Sequence, residues 1–228
     1  MARAVLFDID GTLVDSVDLH AQAWQEALAR FGKEVPYAAI RSQIGTGGNR
    51  LVAAFLSDEE QQRFGEELSE QRAALFQRQY LPRVKPFPEA RELLARLKQG
   101  GVLVGLASSC ARSELGYYLR MVGGAKLVDA ATTGDDAGRS KPSPEVFDSC
   151  LDRLGIELKD AVGVADSPFD VEAAGRAGLA TVGVLCGGFE EAALLAAGCV
   201  AVYQDPRDIL ARLPQTPLAP EPQPGQHR

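Results

Sequence analysis

Apolar residues gather in short runs, each closed by polar or glycine positions, with helical patterns between them. Ala4–Phe7 is closed by Asp8, Val102–Ala107 by Ser108-Ser109 and Ala161–Ala165 by Asp166. Ala180–Leu185 is closed by Cys186-Gly187, and Val200–Tyr203 is a weaker fifth run. Near-continuous apolar runs of this length are strands buried on both faces, as in a parallel sheet. Between them, Pro88–Gln99 carries Ala90, Leu93, Leu94 and Leu97 at helical spacing and meets Gly100. Pro144–Leu154 repeats the design with Val146, Phe147, Cys150 and Leu151 before Gly155. Pro168–Ala177 stops at Gly178 and Glu190–Ala197 at Gly198. Proline near the start and glycine past the end are ordinary helix boundaries. The alternation predicts an α/β protein with a Rossmann-like parallel sheet core and helices on both faces.

Residues 17–84 break the rhythm. Val17, Ala21, Trp24, Leu28 and Phe31 follow a helical spacing that Gly32 closes, and Leu51–Leu56 and Glu59–Tyr80 read as helical too. The loop Gly45-Thr46-Gly47-Gly48 lies between them. This stretch predicts an inserted α-helical cap domain over 17–84, with hinges at Asp15-Ser16 and Pro82–Pro88. The α/β core then comprises 1–16 and 85–213. Beyond Leu213, Pro214, Pro217, Pro220, Pro222 and Pro224 stand among polar residues. That composition predicts a disordered tail over 214–228.

Charge narrows the function. The 228 residues hold 24 Lys+Arg against 31 Asp+Glu, a net charge of −7. A general nucleic-acid or anionic-membrane surface needs a basic balance, so both are excluded as partners. One locally positive site for an anionic small molecule is still compatible. No apolar run approaches the roughly 18 residues of a membrane span, and the start reaches Asp8 too soon for a signal peptide. Cys110, Cys150, Cys186 and Cys199 form neither a CxxC pair nor a zinc spacing. They read as small hydrophobes of a reducing compartment, and the expected localisation is cytoplasmic.

The candidate chemistry sits where strands end, the edge at which open α/β sheets bind ligands. In Asp8-Ile9-Asp10-Gly11-Thr12, two carboxylates two positions apart share a side of an extended chain, and Gly11 permits the turn. The alternative is a strand followed by an ordinary Asp-Gly turn. Asp166-Ser167-Pro168-Phe169-Asp170 adds two carboxylates, with helix capping as the alternative. Together, Asp8, Asp10, Asp166 and Asp170 call for a cation, and carboxylate oxygens favour Mg²⁺. Lys141 lies in a rigid loop before Pro142 and Pro144, and Ser108 ends a strand. An ammonium and a hydroxyl so placed can hold a phosphate, although a solvated lysine and a capping serine are the commoner roles.

These four motifs, Asp8-Ile-Asp10-Gly-Thr, Ser108, Lys141-Pro and Asp166-x-x-x-Asp170, occur in the order of the haloacid dehalogenase superfamily. The chain resembles that superfamily of phosphatases and phosphomutases over about residues 3–213. The helical insert resembles its C1 cap. Asp15-Ser16-Val-Asp-Leu-His20-Ala-Gln-Ala-Trp24 is similar to the phosphoglycolate phosphatase and β-phosphoglucomutase branch. Two positions depart from the pattern: Ala165 stands where glycine is usual, and Ser109 where asparagine is common.

The resemblance implies Asp8 as the nucleophile that becomes an aspartyl-phosphate. It implies Asp10 as general acid and then base, with a pKa raised by neighbouring negative charge. Mg²⁺ would be held by Asp8, the backbone carbonyl of Asp10 and Asp166, with Asp170 behind them or acting through water. Ser108 and Lys141 would hold phosphoryl oxygens. Gly11, Thr12, Ser109, His20, Gly47 and Arg50 are the candidate substrate contacts. For Arg50 a solvated surface position is equally open, for His20 a half-exposed helix position, and for the Gly47 loop a plain connection; Trp24 reads as cap core. The implied substrates are small phosphomonoesters, 2-phosphoglycolate or sugar phosphates, handled by a monomer. A β-phosphoglucomutase-type mutase is the alternative, and a non-catalytic phospho-acceptor module a distant one. Dehalogenation is disfavoured, because it needs no second carboxylate at position 10.

Overall fold

The computed structural model describes residues 2–138 and 140–220. Its sheet strands are β1 (Ala4–Phe7), β2 (Leu103–Ala107), β3 (Ala130–Thr132), β4 (Ala161–Ala165), β5 (Thr181–Val184) and β6 (Ala201–Tyr203). They form one parallel six-stranded sheet in the order β3-β2-β1-β4-β5-β6. The order reverses direction beside β1, the kind of switch point where open α/β sheets place ligands.

The apolar runs account for five of these strands, because β1, β4 and β5 are buried throughout and β2 almost so. The sixth, β3, reads Ala-Ala-Thr. It lies at the sheet edge with two weak strand formers, so periodicity alone does not single it out. A second short ribbon pairs Val14–Asp15 with Lys85–Pro86 antiparallel. It ties together the two chain segments that lead into and out of the helical insert.

The helices that matter for the site are α1 (Val17–Arg30), α2 (Tyr37–Arg41), α3 (Gly48–Phe55), α4 (Glu66–Leu75), α5 (Ala90–Gln99), α6 (Arg112–Met121), α7 (Glu145–Leu154) and α8 (Pro168–Ala177). The stretch before α4 and the one after it, Gln61–Gly65 and Phe76–Tyr80, wind as π-helix. Helix α6 is new relative to the apolar pattern. Only Glu114 and Tyr118 on it are fully buried, and neither marks a hydrophobic face.

The insert has an apolar cluster of its own: Val17, Trp24, Leu28, Ile40, Leu51 and Leu68 pack together. Distinct clusters fill the sheet, one around Phe7, Leu93 and Leu106 and another around Leu6, Phe147 and Leu151.

The tail departs from expectation. Leu213–Gln215 forms a 3₁₀ turn, and Thr216 and Leu218 are buried. Pro220 packs over Gly100, where an added Cβ would lie 2.7 Å from the proline ring. Prolines lower the entropy that ordering costs, and two leucines anchor the segment to the core. The remainder of the expected disordered tail, 221–228, lies outside the described residues. Among the described residues, no helix is long and apolar enough to cross a membrane.

Candidate active site

In-register pairing sets the site. Phe7 pairs with Leu106 on one side and with Val164 on the other. Asp8, Ser108 and Asp166 therefore leave the sheet at one edge, side by side. Asp8 is tied there by its backbone N–H to the Val164 carbonyl at 2.9 Å, and Ser108 by its own to Thr132 at 3.1 Å.

Asp8, Asp166 and Asp170 are buried and each offers one oxygen, all within 4.8 Å of one another. Lys141, also buried, bridges two of them: its Nζ donates to Asp8 Oδ1 at 2.6 Å and to Asp170 Oδ1. Asp170 is fixed further by the Ser167 hydroxyl at the start of α8. Thr12 Oγ1 donates to Asp166 Oδ1 at 3.0 Å. Helix capping and site formation thus coexist. Ser167 accepts from the Asp170 backbone as a cap, while the Asp170 carboxylate turns into the cluster.

Glycines make the approach to Asp166 possible. Gly11 has φ +81°, and a Cβ there would lie 2.3 Å from Asp166 Oδ2. At Gly187 the gap would be 1.8 Å. Any side chain at either position displaces the carboxylate. In the sequence, Gly187 is marked only as part of the Cys186-Gly187 pair that closes an apolar run.

The electrostatics follow from burial. Desolvation and the charge of Asp170 push Asp8 up to about 8, although Lys141 opposes both. Asp166 is raised by burial, then by Asp170 and Asp8. Burial would strip the Lys141 proton, but Asp170 and Asp8 outweigh it and hold the ammonium charged. This is a cluster short of positive charge. Three buried hard-oxygen donors, with Asp8 and Asp166 pushed toward protonation, fit Mg²⁺.

Asp10 behaves otherwise. Its carboxylate is not one of the three that cluster. Oδ1 accepts from Ser16 Oγ at 2.5 Å and lies 3.0 Å from His20 Nε2. Burial alone would raise its pKa, but His20, Ser16 and Tyr118 together bring it down to about 2. The expected upward shift from neighbouring carboxylates is therefore corrected. The partners gathered around Asp10 outweigh its burial.

His20 is also not half-exposed: it is 6% exposed, stacked on Phe76 with ring centroids 3.9 Å apart. α1 runs directly from the ribbon at Val14–Asp15, and this carries His20 to Asp10.

A cavity of about 390 Å³ opens between core and insert. Asp8, Asp10, Ser108, Ser109 and Lys141 line it from below, and Trp24 and Gly47 from above. Ser108 Oγ accepts from the Cys110 N–H at 3.1 Å. Gly47 abuts Ser140, where an added Cβ would meet the side chain at 2.9 Å. Arg50 is exposed and stands outside the cavity wall, its Nη1 on the Lys141 carbonyl at 3.4 Å. Arg72, Glu114 and Tyr118 also gather here, and sequence reasoning did not single them out. Each comes from a helix whose spacing carries no chemical signature.

Fold and site together define an α/β enzyme with a helical insert, whose sheet edge presents an acidic centre bridged by a lysine. The family model for haloacid dehalogenase-like hydrolases matches residues 5–184, and the chain belongs to that family. It is 32% identical to the validoxylamine A 7'-phosphate phosphatase of Streptomyces hygroscopicus subsp. limoneus over 186 residues, covering 81% of this chain and 86% of that one. It is 32% identical to a phosphoglycolate phosphatase of Neisseria meningitidis over 190 residues, covering 81% of each. A solved structure of a hydrolase from Pseudomonas syringae superimposes with TM-score 0.84 at 29% identity, over 93% of this chain and 98% of that one.

Proposed function

We propose that the chain is a Mg²⁺-dependent phosphatase of small phosphomonoesters that works through an aspartyl-phosphate on Asp8. The observation that carries this reading is the buried triangle of Asp8, Asp166 and Asp170 bridged by Lys141, with Asp10 held apart from it. An oxygen of Asp8 attacks phosphorus and the bond to the leaving oxygen breaks. Asp10 delivers a proton to that oxygen, and the alcohol departs. Water then attacks phosphorus, Asp10 takes its proton, and the acyl-phosphate bond breaks to return Asp8 and release phosphate. The approaching phosphate dianion supplies the negative charge that raises Asp10 toward its acid role. Lys141 and Ser108 orient the phosphoryl oxygens.

Asp8 and Asp166, with Asp170 behind, would hold Mg²⁺, which supplies charge neutralisation between nucleophile and phosphate. The helices of 17–84 close over the site and exclude water. Thr12 and Gly11 act indirectly, by holding Asp166 and by leaving it room. The substrate is a small phosphorylated metabolite, and the relatives point to phosphoglycolate or a phosphorylated carbohydrate. The protein acts as a cytoplasmic monomer.

The test is phosphate release from 2-phosphoglycolate, several sugar phosphates and p-nitrophenyl phosphate. The expected result is release that needs Mg²⁺, stops in excess EDTA and is absent in Asp8→Asn. Sugar-phosphate isomerisation with a bisphosphate primer and no net phosphate release would replace this reading with a mutase.

A further inference from the structure

The His20 ring meets three polar partners, and the Tyr118 hydroxyl, 3.4 Å from Nε2, can accept or donate and so does not choose the tautomer. Nε2 lies 3.0 Å from Asp10 Oδ1, and Nδ1 takes a hydrogen bond from the guanidinium of Arg72 on α4. A guanidinium has five N–H donors and no lone pair to accept with. Nδ1 must therefore be the acceptor. The ring proton then sits on Nε2 and is donated to Asp10.

Packing holds Arg72 in that pose. Its Cζ lies 5.1 Å from the Trp24 ring and 5.0 Å from the Phe76 ring, the same ring on which His20 stacks. Its Nε is buried with no hydrogen-bond partner. The two rings and the bond to His20 thus fix the guanidinium, while Glu114 on α6 stands close enough to offset its charge. Arg72, Trp24, Phe76 and His20 all belong to the helical insert, whereas Asp10 belongs to the core. The insert therefore presents one N–H of set direction to the core carboxylate.

We propose that Arg72 is a positioning residue: it fixes His20 as the tautomer protonated at Nε2, and so fixes which Asp10 oxygen carries the transferable proton. Ser16 Oγ donates to the same oxygen, Oδ1, at 2.5 Å. With both lone pairs of Oδ1 engaged, a proton held by Asp10 resides on Oδ2. Tyr118 also reaches the Asp10 side chain, and Oδ2 is the oxygen that this assignment gives to the leaving group. If the ring proton moved to Nδ1, the Nε2 lone pair would face Asp10 and draw its proton away from the substrate. The catalytic part rests on Asp10 as the acid of the proposed phosphatase; the tautomer part does not.

The chain has only two histidines, His20 and His227. ¹⁵N-histidine NMR of the full protein is therefore readable, and a His227→Gln variant assigns the signals. The expected spectrum shows His20 with Nε2 protonated and Nδ1 as the bare acceptor. Arg72→Met averages the two nitrogens between tautomers. Arg72→Lys restores the native pattern, because an ammonium also only donates.

In turnover, Arg72→Met loses about 10- to 100-fold in kcat with KM nearly unchanged, and Arg72→Lys recovers most of it. A proton on Nδ1, or on both nitrogens, in the native protein would overturn the proposal. So would an Arg72→Met spectrum identical to the native one, or a raised KM with native kcat, which would make Arg72 a binding residue. A native tautomer as expected in a protein that releases no phosphate would instead remove the phosphatase reading and leave the tautomer assignment standing.

Discussion

Lys141 is the residue on which the charge balance of the site depends. Its ammonium is the sole bridge between Asp8 and Asp170 among the described residues, and all three side chains are nearly sealed from solvent. Removing one partner of a buried ion pair leaves an uncompensated charge, at a cost of about 3–5 kcal/mol. Lys141→Met is expected to lose about that much stability in denaturant melts. The double variant Lys141→Met/Asp170→Asn should regain part of it. No recovery in the double variant would mean that the lysine stabilises by packing instead. Asp8→Asn leaves the bridge to Asp170 in place, so it should fold while kcat drops by on the order of 10³-fold or more. The spread between these two variants separates the structural role of the cluster from its chemical one. Asp8, Asp10, Lys141, Asp166 and Asp170 were legible as candidates because each follows a strand, precedes a helix or, for Asp170, stands in the first turn of one, where the chain pattern itself is visible. Arg72, Glu114 and Gly187 were not. Their importance comes from what other elements place beside them, and one sequence holds no trace of those distances.

At the scale of elements, the strands were legible for the same reason that they are stable: residues buried on both faces leave continuous apolar runs. β3 escaped because an edge strand of Ala-Ala-Thr has little to bury, and α6 because its buried positions are Glu114 and Tyr118. The two π-helical stretches that bracket α4 carry no pattern that separates them from ordinary helix. The insert sits on the core through Ala23, Leu75, Phe76 and Tyr80, which pack into the sheet cluster, through His20 on Asp10, and through contacts of α2 and the following loop. Arg41 donates to the Gly187 carbonyl at 3.1 Å and to Asp18 at 2.6 Å. Gly45, at φ +106°, passes so near Ser167 that an added Cβ would lie 2.8 Å from its hydroxyl. Ser167 in turn holds Asp170. Gly45→Ala combines a strained φ with a clash onto this serine, a penalty of about 1–3 kcal/mol. The expected outcome is a seat lifted off the core: KM raised about 10-fold, with thermal stability of the sheet core little changed. Unaltered kinetics in Gly45→Ala would show that the loop is free to shift without disturbing Asp170. Trp24→Ala removes a large side chain from the insert's own cluster, and it should cost about 3–5 kcal/mol. If 17–84 melts as its own unit, that loss appears as an early transition that spares the rest.

For the molecule as a whole, the acidic centre links stability, pH and cation binding. Folding raises the Asp8 pKa from an ordinary 3.8 to about 8 and raises Asp166 as well. Between those two values the native state binds more protons at Asp8 than the unfolded chain does. Its contribution to stability is therefore present in full below pH 4 and lost as pH rises through about 8. In the proposed phosphatase Mg²⁺ would reverse the sense: it would bind the ionised carboxylates, so protons would compete with it at low pH, and it would stabilise only the folded arrangement that gathers them. The gain in melting temperature on adding Mg²⁺ should consequently be small at pH 5 and grow steadily toward pH 8. At a hundredfold excess over Kd it corresponds to about 2.7 kcal/mol. Asp8→Asn should flatten part of this growth, since one of the competing protons is the one on Asp8 and the other is on Asp166. A Mg²⁺ shift independent of pH in the native protein would place the cation away from Asp8 and Asp166. The same dependence bears on turnover in the proposed phosphatase: with Asp8 as nucleophile, low pH would leave it protonated and the cation weakly held, so activity at limiting Mg²⁺ should rise with pH and partly recover at pH 5 when Mg²⁺ is raised.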